Sequence, residues 1–268
     1  ELSAQLQLHI SQRGFPQRGH AQIHDRGGSR VLRQRAFHDC GDKMEDNIWI
    51  FIVVGFLAQI IDGALGMAYG VSSNTFLLSI GIPPAAASAS VHMAEIFTTG
   101  VSGFSHWRLK NVDRSLILKL LIPGVLGGIT GAYILSSLPG DKLKPYISAY
   151  LAIMGLVIIR KALVRNHEEK KVTSFIAPLG LVGGFFDAIG GGGWGPIVTT
   201  TLVARGNNPR YTIGSVNASE FFVTFAESVT FLLAIGLTHW RIILGLLIGG
   251  VIAAPLAAII CKKLPVRI

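Results

Sequence analysis

Five carboxylates and one imidazole sit inside apolar stretches of this chain. Asp62 lies in the apolar run Ile48–Gly81, and Asp187 in the run from about Ser174 to Ala204. His92, Glu95, Thr99 and Ser102 follow one another by steps of 3, 4 and 3 residues, which puts them on one helical face. Asn217, Glu220, Thr224 and Glu227 repeat those steps further along. A carboxylate at hydrocarbon depth costs about 2.5–3.5 kcal/mol on insertion scales. Ionisable residues in such runs therefore face a bundle interior and mark ion pathways or proton relays. Glu95, Glu220 and Glu227 are candidates for proton coupling, with buried structural hydrogen bonding as the plainer alternative. For a lone His or Thr the plainer alternative is preferred.

The second aspartate stands beside an unusual backbone. Phe185-Phe186-Asp187-Ala188-Ile189 runs into Gly190-Gly191-Gly192-Gly193 and then Trp194-Gly195-Pro196. Glycine weakens a helix and exposes its backbone. At membrane depth such backbone is tolerated only where it is buried in protein or lines a wet cavity. The stretch is expected to break a helix at a substrate site, with free N–H groups facing an anion. Asp62 and Asp187 either cap the broken helices or act in the chemistry. Tyr69 and Trp194 either wall the cavity or anchor at the membrane interface.

These residues come in pairs because the chain is duplicated. At an offset of 125, residues 62–99 match 187–224 at twelve of 38 positions without a gap. The identities include Asp62/Asp187, Gly66/Gly191, Gly70/Gly195, Ser90/Ser215, Glu95/Glu220 and Thr99/Thr224. The correspondence resumes at Gly124-Val125 with Gly250-Val251 and at Leu138-Pro139 with Leu264-Pro265. Matching hydrophobic segments interrupted by glycine are the sequence pointer to a transporter's binding site. The substrate-binding set is therefore expected to be Gly66, Tyr69, Gly190, Gly191, Gly192, Gly193, Trp194, His92, Asn217, Ser90 and Ser215. Asp62, Glu95, Asp187, Glu220 and Glu227 form the proton-coupling or structural set.

Those residues need helices to hold them. The chain is 50% hydrophobic and 15% charged, with a mean hydropathy of +0.51, as in a polytopic membrane protein. The expected layout is a helical hairpin over 48–81, spans 85–105, 115–138 and 146–164, a hairpin over 173–206, then spans 210–238 and 240–261. The hairpin arms, at about 15–17 residues or 22–25 Å each, are too short for a 30 Å core. The 210–238 span outruns its twin by about eight residues and should tilt, kink or protrude. The fold class is thus an all-α polytopic membrane protein of two repeats with Gly-broken hairpins. About nine spans are present, and a tenth is expected beyond the C-terminal end. Repeat 1 occupies 44–172 and repeat 2 occupies 173–268. Residues 1–43 carry no long apolar run; they are expected to be an extension upstream of a native start at Met44, or a disordered basic tail.

The net charge of +9 is distributed as orientation in a membrane rather than as a nucleic-acid surface. Arg108, Lys110, Arg114, Lys119, the basic residues of 160–171, Arg205, Arg210, Lys262, Lys263 and Arg267 gather on one side of this layout. The positive-inside rule makes that side cytoplasmic and puts the Met44 end outside. Five spans in the first repeat then give the second repeat inverted topology. The two cysteines, Cys40 and Cys261, have no metal-ligand spacing. No metal or cofactor is expected, since only His92 lies in the apolar stripe and no His-x-x-x-His pair accompanies it. The glycine run lacks the Gly-Lys-Ser/Thr ending of a phosphate loop.

From Phe185 to Pro196 the sequence resembles the sulfite exporter TauE/SafE family of membrane permeases. The likeness continues through Pro209-Arg210, Gly214–Glu220 and Gly249–Pro255 and covers about 48–268. The first copy departs from the pattern, with Leu65, Met67 and Ala68 replacing glycines and His92 replacing Asn. The resemblance implies export of small sulfur-containing anions such as sulfite or organosulfonates, coupled to the proton gradient, in a bacterial inner membrane. The expected partners are a small anion and the lipid bilayer, with no nucleic acid; a homo-oligomer is left open. The alternatives are a non-transporting binding or sensing module and a permease for another small anion or a metal ion.

Overall fold

The computed structural model describes residues 47–65, 67–163, 174–237 and 239–263. The expected extension 1–43, Gly66 and the Leu264-Pro265 end lie outside them. The described residues form helices and no strand: α1 Ile48–Leu65, α2 Tyr69–Ser79, α3 Pro84–Arg108, α4 Arg114–Ser137 and α5 Gly140–Leu163. After 174 come α6 Ile176–Gly190, a π-turn Gly195–Thr199, α7 Thr200–Ala204, α8 Pro209–Ile235 and α9 Trp240–Lys263.

Local signals set most of the ends. Asp113 caps α4 by accepting from the N–H groups of Ser115 and Leu116 at 2.9 and 3.3 Å. Asn208 caps α8, and Pro209 and Pro84 open α8 and α3, where a missing N–H costs nothing. Gly236, at φ 75°, closes α8.

Three expectations need correction. The arms around each break are unequal: α1 has 18 residues and α2 has 11, while α6 has 15 and the π-turn with α7 has five plus five. At 1.5 Å per residue the short arms rise only about 15–17 Å, half a hydrocarbon core. Helix α3, at 25 residues, nearly equals α8, at 27, because it runs on through His106 to Arg108. Helix α5 begins at Gly140, before the expected 146, with Asp141 in its first turn favoured by the helix dipole.

The surface is inside out relative to a water-soluble domain. Leu118, Ile122, Leu156 and Leu233 are 66–83% exposed, while His92, Glu95, Asn217, Glu220 and Glu227 are 0–6% exposed. Helices α4, α5, α8 and α9 are long and apolar enough to cross a membrane. Helix α3 is long but carries the polar stripe, so it is held inside the bundle. This is an all-α, multi-pass membrane fold.

Small residues set the helix contacts. A methyl placed on Gly55 of α1 would lie 2.4 Å from the Leu246 carbonyl oxygen of α9. One placed on Gly180 of α6 would lie 3.0 Å from the Leu120 carbonyl oxygen of α4. Gly55 and Gly180 correspond at offset 125, and Leu120 and Leu246 at offset 126. The same exchange relates other contacts. The Trp194 ring and Val223 meet Gly124, while the Tyr69 ring and Thr98 meet Gly250. Helices α3 and α8 cross antiparallel at the centre: His92 contacts Glu227, and ten residues on, Ser102 contacts Asn217. These contacts return to themselves when each residue is swapped for its partner in the duplication.

Candidate functional site

Both helix breaks lie against each other at the centre of this packing. Asp62 and Asp187 are not in N-cap positions, as one expectation had it. Each sits in the last turn of the incoming helix and reaches across the break. Asp187 Oδ1 accepts from Gly193 N at 2.6 Å and Trp194 N at 2.9 Å. In the first copy, Tyr69 N approaches Asp62 Oδ1 at 3.5 Å. A carboxylate thus stands against the first N–H groups of each half-helix, where the positive end of the helix dipole favours it.

The backbone at the break is tightly specified. Gly191 ends α6 at φ 64°, and the N–H of Gly192 returns to the Asp187 carbonyl at 3.2 Å. A methyl on Gly192 would lie 2.2 Å from Val71 N, so no other residue fits there. Ala68, the partner of Gly193, holds φ 110° without glycine's freedom.

Between the breaks is a cavity of about 10 Å³, roughly the room one water needs. Its lining falls almost wholly into duplicate pairs: Asp62/Asp187, Ala68/Gly193, Gly70/Gly195, Val71/Pro196 and Glu95/Glu220. Tyr69 and Gly192 complete it. Every one of the four carboxyl groups is at most 7% exposed.

Of the expected substrate set, then, Tyr69, Gly192 and Gly193 line the cavity. Gly190 lies one layer out, against the Tyr150 ring, and its carbonyl accepts from Asn74 Nδ2. Trp194 is fully buried, donates from Nε1 to the Val216 carbonyl at 3.1 Å and packs on Gly124. Tyr69 is equally buried, with its hydroxyl on the Leu246 carbonyl at 3.0 Å. Neither aromatic is an interfacial anchor. Ser90 and Ser215 are away from the cavity, their hydroxyls turned onto the Ala86 and Tyr211 carbonyls of their own helices. Thr99 and Thr224 likewise bond the Glu95 and Glu220 carbonyls. Gly70, Gly195 and Pro196, singled out by the duplication and the break, and Ala68 and Val71 also line the cavity, although none was in the expected binding set.

Behind Asp187 lies a second polar layer. His92 Nε2 is 2.8 Å from Glu227 Oε2 and 3.7 Å from Asp187 Oδ2. Asn217 Nδ2, the partner of His92, donates to Ser102 Oγ at 2.9 Å. An imidazole and two carboxylates are groups a divalent cation accepts. Here Nε2 and Glu227 Oε2 are in close contact without meeting hydrogen-bond geometry, and Asp187 Oδ2 stands beside them, so three buried polar atoms converge with no hydrogen-bond partner.

Interrupted helices meeting at a buried, carboxylate-lined cavity within a multi-pass bundle are the architecture of a membrane permease. Comparison with known proteins agrees: residues 51–268 match the sulfite exporter TauE/SafE family, and the chain belongs to it. It is 46% identical over 224 residues to a Bacillus subtilis (strain 168) protein named "Probable membrane transporter protein YtnM", covering 80% of this chain and 74% of that one. It is 26% identical over 203 residues to "Probable membrane transporter protein ORF9" of Sinorhizobium sp, covering 74% and 76% of the two chains. No solved structure matches it.

Proposed function

We propose that this permease moves small sulfur-containing oxyanions, sulfite or organosulfonates, coupled to the proton gradient. The observation that carries the reading is the cavity between the two breaks, which combines bare glycine backbone with four carboxyl groups. No Lys or Arg lies in 55–75 or 180–200, so the positive field for an anion must come from the backbone. Several N–H donors can share one small oxyanion. Ionised carboxylates would oppose its entry, since two like charges 4 Å apart repel by about 4 kcal/mol at an effective dielectric of 20. A proton on Glu95 or Glu220 lifts that repulsion, so anion and proton enter the cavity together. Asp62 and Asp187 hold the N–H groups of Tyr69, Gly193 and Trp194 in this state, so an anion takes those donors as the carboxylates yield them and the one-water cavity widens around it.

The two repeats are inverted in this reading. Support comes from α3 and α8, which are partners in the duplication and pack antiparallel. An axis exchanging antiparallel partners lies in the membrane plane. The charge distribution then sets the basic loops in the cytoplasm of a bacterial cell, with the protein in its inner membrane.

Uptake of a panel of labelled anions into proteoliposomes, with and without a pH gradient, tests the function. The expected result is uptake of sulfite or a sulfonate that rises when the loading side is made acidic. A panel with no counterflow for any anion would leave a binding or sensing module instead. Turnover of a substrate in detergent would indicate an enzyme.

A further inference from the structure

The duplication makes a comparison inside the molecule that isolates one pair. Where α3 and α8 cross, two contacts are partners under the exchange of repeats. One is Asn217 with Ser102, a neutral hydrogen bond of 2.9 Å. The other is His92 with Glu227, an ionisable pair at 2.8 Å and wholly buried. The neutral pair shows that bridging these helices needs no charge. A buried ionisable pair costs more desolvation than a neutral one. Its presence at only one of the two equivalent contacts asks for a role that Asn and Ser cannot fill.

Geometry gives that role. His92 Nδ1 stands 2.7 Å from the backbone carbonyl of Ser88. A carbonyl only accepts, so Nδ1 carries a hydrogen. In a neutral imidazole Nε2 is then the lone-pair nitrogen. That lone pair cannot lie 2.8 Å from a bare carboxylate oxygen, since both would be acceptors. The pair is out of hydrogen-bond geometry, and a proton on one of the two atoms is what relieves a contact this close. We infer that His92 and Glu227 form a dedicated proton-binding pair, present at one of the two equivalent α3–α8 contacts only and set beside the second helix break through Asp187. The link is short: Asp187 Oδ2, which like His92 Nε2 and Glu227 Oε2 has no hydrogen-bond partner, lies 3.7 Å from His92 Nε2, while its Oδ1 holds Gly193 and Trp194. Loss of the proton removes positive charge beside Asp187 and sets a lone pair against Glu227. The carboxylate that pins the half-helix then feels a different field.

The groups facing the pair are few. They are Asp187 of α6 and Glu95 one turn along α3, with Asp62 of α1 and Glu220 of α8 around Glu95. Tyr150 of α5 reaches Asp187, and α4 meets Glu227 with the bare backbone of Gly128. Among the described residues no Lys or Arg acts on the pair. The inference deepens the proton-coupled reading above and rests on it for its role in transport.

The test converts the pair into its own twin, His92→Asn with Glu227→Ser, alongside Glu227→Gln, which keeps a donor for Nε2. Acid–base titration of purified protein in detergent, which needs no substrate, should show one proton fewer bound per chain in both variants. In proteoliposomes at equal pH on both sides, the pH profile of labelled-sulfite exchange should lose a step, whatever the absolute rate. Unchanged proton binding in a folded Glu227→Gln protein overturns the inference, as does a wild-type pH profile in either variant. A wild-type protein that binds the extra proton but exchanges no anion would contradict the transport reading and leave the proton site standing.

Discussion

Asp187 joins the local chemistry to the architecture, because one oxygen organises the backbone after the break and the other faces His92. Its partner Asp62 does the corresponding work less closely, at 3.5 Å from Tyr69 N. The first copy has also kept an alanine at φ 110° where the second has Gly193. A non-glycine residue held there stores strain of about 1–3 kcal/mol. Ala68→Gly is therefore expected to raise stability by roughly 1 kcal/mol, read from thermal unfolding in detergent. At the cavity, Glu220→Gln should still bind anion but lose the response of transport to a pH gradient. Unchanged gradient dependence in that variant would remove Glu220 from the proton path. Glu95, Glu220 and both aspartates were legible in the sequence because duplication wrote each of them twice. Tyr150 was not, since α5 has no described counterpart, and a strained alanine has no signature in residue type.

At the scale of elements, two half-length helices, α2 and the π-turn with α7, end against each other in the bundle interior. Their lengths follow from the chain: Pro84 and Pro209 restart helices soon after each half-helix stops. The π-turn carries Pro196 in its first turn, where a helix tolerates proline. Asp187→Ala would leave the N–H groups of Gly193 and Trp194 buried without their acceptor, at about 1–3 kcal/mol each. That variant should unfold at clearly lower temperature in detergent, and equal stability would show that the cap is dispensable. The breaks themselves were readable from glycine runs beside a carboxylate. The inequality of their arms was not: α1 and α6 extend through Asp62 and Asp187, because each carboxylate acts from inside the helix rather than at its end. The length of α3 was hidden too, since its polar stripe masks a span that hydropathy alone would shorten.

Among the described residues α1 packs on α9 and α4 on α6, with α3 and α8 crossing between them. The repeat was the strongest feature of the sequence, and the contacts respect it residue by residue, as Gly55 with Leu246 and Gly180 with Leu120 show. The packing partners could not be read in advance, because a duplication states which residues correspond and not which ones touch. Inverted topology predicts that a reporter fused after Lys170 reads cytoplasmic and one after Lys142 reads periplasmic. Both on one side would contradict the layout. The central claim is that the anion passes where the two breaks meet, and Gly192 is one of the glycines there whose surroundings leave no room for a side chain. Uptake of labelled sulfite into proteoliposomes, acidic on the loading side, should be measured for the wild type and for Gly192→Val shown to be folded. The account predicts uptake by the wild type and none by Gly192→Val, whereas a folded Gly192→Val protein that transports at the wild-type rate would contradict it.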